Sequence, residues 1–331
     1  MLPKIILIMS LVSLPPNRAF VCLLAVTASL LPAKSATVTN QPTQHEQYML
    51  QIINRTRADG NAEMTRLSSG ITITEGPPRV GSNNWTIYNN VQPVAWNTQL
   101  AASAQSHANN LQNVDWIANQ GTYGSIPHTP TAAFPGGATT PASRIAAAGY
   151  VAPTSGYRNV SGLRPGPENI YVSVASPSNG WSLPETLAVF DAGHKNLFED
   201  KTYLGRGHRN TTMYEEFREV GFGTALGTDN HSGIKDTAYL VQNFGKSSVV
   251  TDYFLTGLAY NDLDSNNFFT PERTGGSETI PGLTVQARQS GVTVASVAAF
   301  DTGGYSLPLA AGSYQIFSSK PMARPTRQAR W

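Results

Sequence analysis

The chain has 331 residues, 13% of them charged, and a net charge of +2 at neutral pH. That length leaves room for one large or two medium cores. The near-neutral balance leaves no electrostatic footprint for a nucleic-acid partner, and so low a charged fraction speaks against a typical cytosolic enzyme.

The N-terminus reads as an export signal over residues 1–35, starting at Met1 or Met9. Lys4 and Arg18 precede an apolar run from Phe20 to Leu31, and Ala33-Lys34-Ser35 offers the small residues that a signal peptidase reads. The run is shorter than the roughly 20 apolar residues a bilayer span needs. Export to the extracellular side or cell surface, with no stable membrane span after cleavage, is therefore expected over an uncleaved anchor. Cys22 is the one cysteine and lies inside the run, so the mature chain would carry no disulfide.

After a linker at 36–43, Thr43 and Glu46 have the spacing of a capping box, and Tyr48, Met49, Ile52 and Ile53 form one apolar face behind it. A second helix places Leu100, Ala104, Ala108 and Leu111 on one side. Ser182 and Glu185 suggest a third capped start, ahead of Leu187, Phe190, His194 and Leu197. The Gly-, Pro-, Ser- and Thr-rich stretches Gly76–Val91, Pro130–Pro141 and Pro153–Pro167 read as surface excursions. Short strands follow at Val220–Thr224 and Ala238–Phe244. Beyond a link from Lys246 to Asp252, alternating runs at Phe254–Tyr260, Leu283–Ala287, Gly303–Leu307 and Ala311–Ile316 predict a second, all-β module over 252–319. Residues 320–331, with Lys320, Arg324, Arg327 and Arg330, read as a basic, disordered end.

Three polar signatures punctuate the first part: Pro127-His128-Thr129, Pro167-Glu168-Asn169-Ile170 and Gly207-His208-Arg209-Asn210, followed by Glu219-Val220-Gly221-Phe222-Gly223. With Asn54-Arg55-Thr56-Arg57, the segment Trp96 to Ala108, and Val241-Gln242-Asn243-Phe244-Gly245, their order resembles the CAP superfamily of cysteine-rich secretory proteins, antigen 5 and pathogenesis-related protein 1. The resemblance covers about 44–246 and implies an α+β fold, a CAP-type α-β-α sandwich. The second module resembles the small β-sandwiches of the carboxypeptidase-regulatory and serine-aspartate-repeat B types. A chain without disulfides departs from the animal and plant members and looks like a bacterial version.

The resemblance also implies that His128, Glu168 and His208 share one cleft. The family's second glutamate is replaced, with Asp200 the best placement and Asp191 and Glu199 as rivals. Imidazole is both a proton shuttle and a common zinc ligand, so His128 and His208 could hold a divalent transition metal such as zinc, with Glu168 orienting a ring or accepting a proton. His107 and His194 lie on apolar helix sides and read as core groups, His45 and His231 as exposed, and Arg209 as a loop anchor rather than a substrate contact. In the second module Asp262, Asp264 and Asn266 occupy positions one, three and five of a calcium-type loop, although position six is Asn267 and Glu272 falls at eleven instead of twelve.

These residues leave three functions open: binding of a hydrophobic, sterol-like molecule or an extracellular protein partner at the histidine cleft, metal-dependent hydrolysis, or a structural surface role. The shortened carboxylate at Asp200 favours binding.

Overall fold

The computed structural model describes residues 5–9, 41–67, 91–137, 139–151, 166–175, 181, 183–201, 206–229, 235–246, 253–271 and 276–319. Cys22, Ser182, His231 and Glu272 lie outside these, as do most of the expected leader, the stretches 76–90 and 153–165, and the basic tail.

The fold is α+β. Helix α1 (Gln44–Ala58) opens with the expected capping box: the Thr43 hydroxyl accepts from the Glu46 N–H, and the Glu46 carboxylate accepts from the Thr43 N–H. Asp59 ends α1 and caps α2 (Gly60–Arg66). Strand β2 (Ala95–Trp96) leads into α3 (Thr98–Asn113), which starts one residue after its Asn97 cap. The short helices α4 (Gln120–Tyr123) and α5 (Pro141–Ala147) precede β3 (Glu168–Ala175), α6 (Leu183–Glu199) and α7 (Gly207–Met213). Strands β4 (Glu219–Asp229) and β5 (Lys235–Gly245) complete a four-stranded sheet of order β2-β4-β5-β3. Strand β3 was not anticipated, because its first residues were read as a site motif although Ile170, Val172 and Val174 carry the period of two.

That period sorts the sheet's two faces. Val220, Phe222, Leu240 and Phe244 pack against Met49, Leu50 and Ile53 of α1 and Phe190 of α6. Ile170, Ala225, Tyr239 and Val241 pack against Ala104, Ala108 and Leu111 of α3. Gly221 and Gly223 let α3 lie close on β4, since a Cβ at either would collide with the backbone of Ala101 or Ala104. The Pro130–Pro141 stretch is not wholly a surface excursion: Pro130 is buried and Phe134 joins the α3-side core.

The second module consists of β6 (Tyr253–Asn261), β7 (Thr284–Gln289), β8 (Val292–Ala298), β9 (Gly304–Leu309) and β10 (Gln315–Ser319), in two antiparallel sheets. One has the order β10-β7-β8; in the other, β6 lies between β9 and β1 (Ile5–Met9), with Ile5 opposite Asn261 and Met9 opposite Gly257. Ala259, Leu283, Val285, Ala299 and Tyr305 form its core. The two modules touch. Phe300 enters the core with α1, the ring of Tyr48 meets that of Phe268 edge-on at 5.7 Å, and the Thr302 hydroxyl donates to the Gln47 amide at 3.3 Å. No helix among the described residues is long and apolar enough to cross a membrane.

Candidate functional site

Glu168 and Asn169 begin β3 and point to opposite faces, so neighbouring residues of one strand hold two distant segments. On the α3 face the Glu168 carboxylate bonds to Nδ1 of His128 at 2.9 Å. On the other face the Asn169 amide donates to the His208 carbonyl at 3.1 Å and to the Thr212 hydroxyl at 3.2 Å, which fixes α7. The two histidine rings lie 6.2 Å apart between centroids, tilted by 30°.

Each ring is held from behind by a buried carboxylate. Asp200 ends α6 in the left-handed region, φ 46°. One of its oxygens meets His208 Nδ1 at 3.0 Å, and the other accepts the His208 backbone N–H at 2.9 Å. The carboxylates of Glu168 and Asp200 are 0% and 4% exposed, whereas the rings of His128 and His208 are 28% and 24% exposed. With Nδ1 turned inward on both, Nε2 forms the opposite edge of each ring. Asp191 and Glu199 are engaged elsewhere, the first by the Tyr48 hydroxyl and the second by Lys201.

Arg144, which the sequence reading missed, completes the buttress. Its position on α5 is set by a Thr140–Ser143 capping box and by Pro141 in the first turn. One guanidinium nitrogen donates to both Glu168 oxygens at 2.8 and 2.9 Å, and the guanidinium also donates to the His128 carbonyl at 3.2 Å. Asn243, in the orientation that satisfies both ends of its amide, donates to the second Glu168 oxygen at 3.1 Å and accepts from Ser103 and Ala104. Burial alone would raise the Glu168 carboxyl. The His128 hydrogen bond and the Arg144 charge outweigh it and hold the group below its ordinary value.

His107 and His194 are core groups, as their apolar helix sides indicate. His107 is buried and donates Nε2–H to the Pro127 carbonyl at 2.9 Å, which steadies the chain beside His128; burial lowers its pKa to about 4. His194 is buried against Glu63 at 2.9 Å and stacks on Phe198. Glu63 also meets Arg55 and Arg66, a cluster not anticipated from the sequence. His45, expected to be exposed, is half-buried and stacks on Phe190 at 5.7 Å. Arg209 is an anchor, donating to the carbonyls of Phe198 and Glu199.

Among the described residues, the one group of three or more His, Cys, Asp or Glu side chains whose ligand atoms lie within 4.8 Å of one another is Asp262, Asp264 and Glu278. The histidine cleft holds no such group among the described residues. In the C-terminal loop Glu278 stands beside the aspartates, a partner the sequence reading did not propose. Asn267 adopts φ 59°, as a residue replacing glycine there must. The Asn266 side-chain oxygen accepts the Phe268 N–H at 2.6 Å, and its amide donates to Thr270.

A family model described as the cysteine-rich secretory protein family, CAP, matches residues 50–244. A solved structure described as "Structure of BmVAL-1" is similar over 66% of this chain and 82% of that chain, at 14% identity and a TM-score of 0.28. A search of curated proteins finds no match.

Proposed function

The chain belongs to the CAP, or cysteine-rich secretory protein, family across residues 50–244, and on that premise we propose that it is a binding protein whose His128–His208 cleft holds a divalent transition metal as part of its ligand site. The observation that carries this reading is the commitment of both carboxylates. Glu168 is engaged by His128 and, through both oxygens, by Arg144; Asp200 is engaged by the ring and the backbone of His208. A general base works best with a pKa near the operating pH, whereas Glu168 is held below the ordinary carboxylate value. Both acids suit the orientation of metal-binding imidazoles through Nδ1, the usual outer-shell arrangement. A bound ion would supply Lewis acidity at the open positions, where a hydrophobic small molecule or an extracellular protein could add a ligand.

Histidine NMR signals followed through a zinc titration test the proposal. His128 and His208 should shift together, and Asp200→Asn should weaken zinc binding about 10- to 100-fold. A shift of His208 alone, or zinc-dependent peptide hydrolysis lost in His128→Ala, would reject the binding reading.

For the C-terminal loop we propose calcium held by Asp262, Asp264 and Glu278, supported by the convergence of their oxygens. Calcium at about 100 times its Kd would stabilise the folded chain by roughly 2.7 kcal/mol. Equal melting temperatures in calcium and in chelator would exclude it.

A further inference from the structure

Side-chain spacing on two helices builds a second charged site. Tyr48 and Arg55 share one face of α1, and Asp191 and Lys195 share one face of α6. With Arg66 at the end of α2 and Phe268 of the second module, they line a cavity of about 410 Å³ that includes neither His128 nor His208.

The charges around this cavity do not balance. Arg55, Arg66 and Lys195 bring three cations to the wall, and Asp191 is the one carboxylate on it. Behind the wall, the buried Glu63 accepts two hydrogen bonds from Arg55 and is also shared with Arg66 and with His194, which a pKa of about 3 keeps neutral. Glu199 lies 4.0 Å from Lys195 but 3.0 Å from Lys201, which claims it. Three positive charges against Glu63 and Asp191 leave one positive charge in excess.

The donors are under-used as well. A guanidinium carries five N–H groups. Arg55 spends Nε and Nη2 on Glu63 and lies over the Phe268 ring at 4.2 Å, and its Nη1 makes no hydrogen bond among the described residues. Arg66 meets Glu63 through Nη2 alone. None of these groups is sealed in, since the Arg55, Arg66 and Lys195 side chains are 31%, 41% and 46% exposed. Solvation is nevertheless incomplete: burial pushes the pKa of both arginines down to about 10.

We infer that this cavity binds a small monoanion, a carboxylate carried on an apolar or aromatic body. Two guanidiniums and an ammonium around one space suit an oxyanion, which arginine recognises through paired N–H donors. One negative charge closes the imbalance, whereas a dianion would overshoot it and face Asp191 on the same wall. Phe268, Leu67 and Ala192 supply apolar contact for the body. The cavity is also within the size range of small-molecule sites, about 300–1,000 Å³.

Calorimetric titration of the metal-free full chain with 3-phenylpropionate, in the presence of chelator, tests this. One site is expected, weakened by added salt. Its neutral counterpart 3-phenylpropanamide should bind about tenfold less tightly, as should the carboxylate to Arg66→Gln or Lys195→Gln, because each change removes a charge-assisted contact. Ala192→Trp, which places bulk at an exposed position of the lining, should abolish binding. Lys195→Gln should leave the melting temperature unchanged, since Glu199 keeps Lys201 and exposed ion pairs contribute little; this variant therefore reads binding separately from folding. The inference is overturned by an absence of 3-phenylpropionate binding, by an amide that binds as tightly as the carboxylate, by phenyl phosphate binding more tightly than either, or by a Lys195→Gln variant that binds as well as the parent.

Discussion

Glu168 concentrates several demands in one side chain: it aligns His128, neutralises Arg144 and accepts from Asn243. Removing one partner of a buried ion pair leaves the other desolvated and unpaired, at a cost of about 3–5 kcal/mol. Glu168→Gln should lose that much stability in denaturant titration, and adding Arg144→Met should recover most of it, because loss of both partners is nearly neutral. If the double variant is no more stable than the single one, the pair is not the source of the loss. Because Glu168 is held below its ordinary value of 4.5, its contribution is present above that pH and lost as pH falls further, through the folded-state value.

The helices depend on such residues for their spacing from the sheet. Gly221 and Gly223 are the contact between α3 and β4, and alanine at either meets helix backbone, which cannot swing aside as a side chain can. Each substitution should destabilise by about 3 kcal/mol or more, measured by denaturant unfolding; a loss under about 0.5 kcal/mol would mean that the helix shifts freely. Helix α6 is tied to α1 and α2 by His194, whose pKa is pushed down to about 3, first by burial and then by Arg55 and Arg66. The unfolded chain takes up this proton at its ordinary 6.5 while the folded chain resists it, so stability falls as pH drops from 6.5 towards 3. His194→Gln should reduce the slope between pH 6.5 and 4.5, leaving the part that His107, lowered to about 4, contributes over the same range, while sparing the Glu168 effect below it. An unchanged slope would place the acid sensitivity elsewhere.

Across the whole molecule the two modules share a core through Phe300 and are pinned by Gln41, Gln47 and Tyr48. Calorimetry should therefore show one transition, with van't Hoff and calorimetric enthalpies in agreement. Phe300→Ala should lower it by about 3–5 kcal/mol as a unit; two separated transitions in the parent would show independent modules. The chain's first strand bears on export. Cleavage near Ser35 or Ala36, which we propose, would remove β1 and leave β6 with an open edge. N-terminal sequencing of exported protein decides this, and a mature product retaining Ile5–Met9 would refute it.

Local chemistry explains which features could be read from the chain alone. The Thr43–Glu46 box, the apolar face of α1, the β4–β5 pair and the alternating runs of the second module depend on neighbours within a few residues, and so did the ordered signatures around His128, Glu168 and His208. Arg144 carried no such mark, because its carboxylate partner lies 24 residues away and only the packing of α5 against the end of β3 joins them. Glu278 lies beyond the loop spacing, and folding carries it to the aspartates. The cavity beside Arg55, Arg66 and Lys195 is completed by Phe268 of the second module, which docks beside the first helix. Sequence determined the elements and the residue types of the cleft; tertiary structure decided which charges are paired, which polar atoms are left without partners and where the modules meet, since those depend on burial and on contacts between segments distant along the chain.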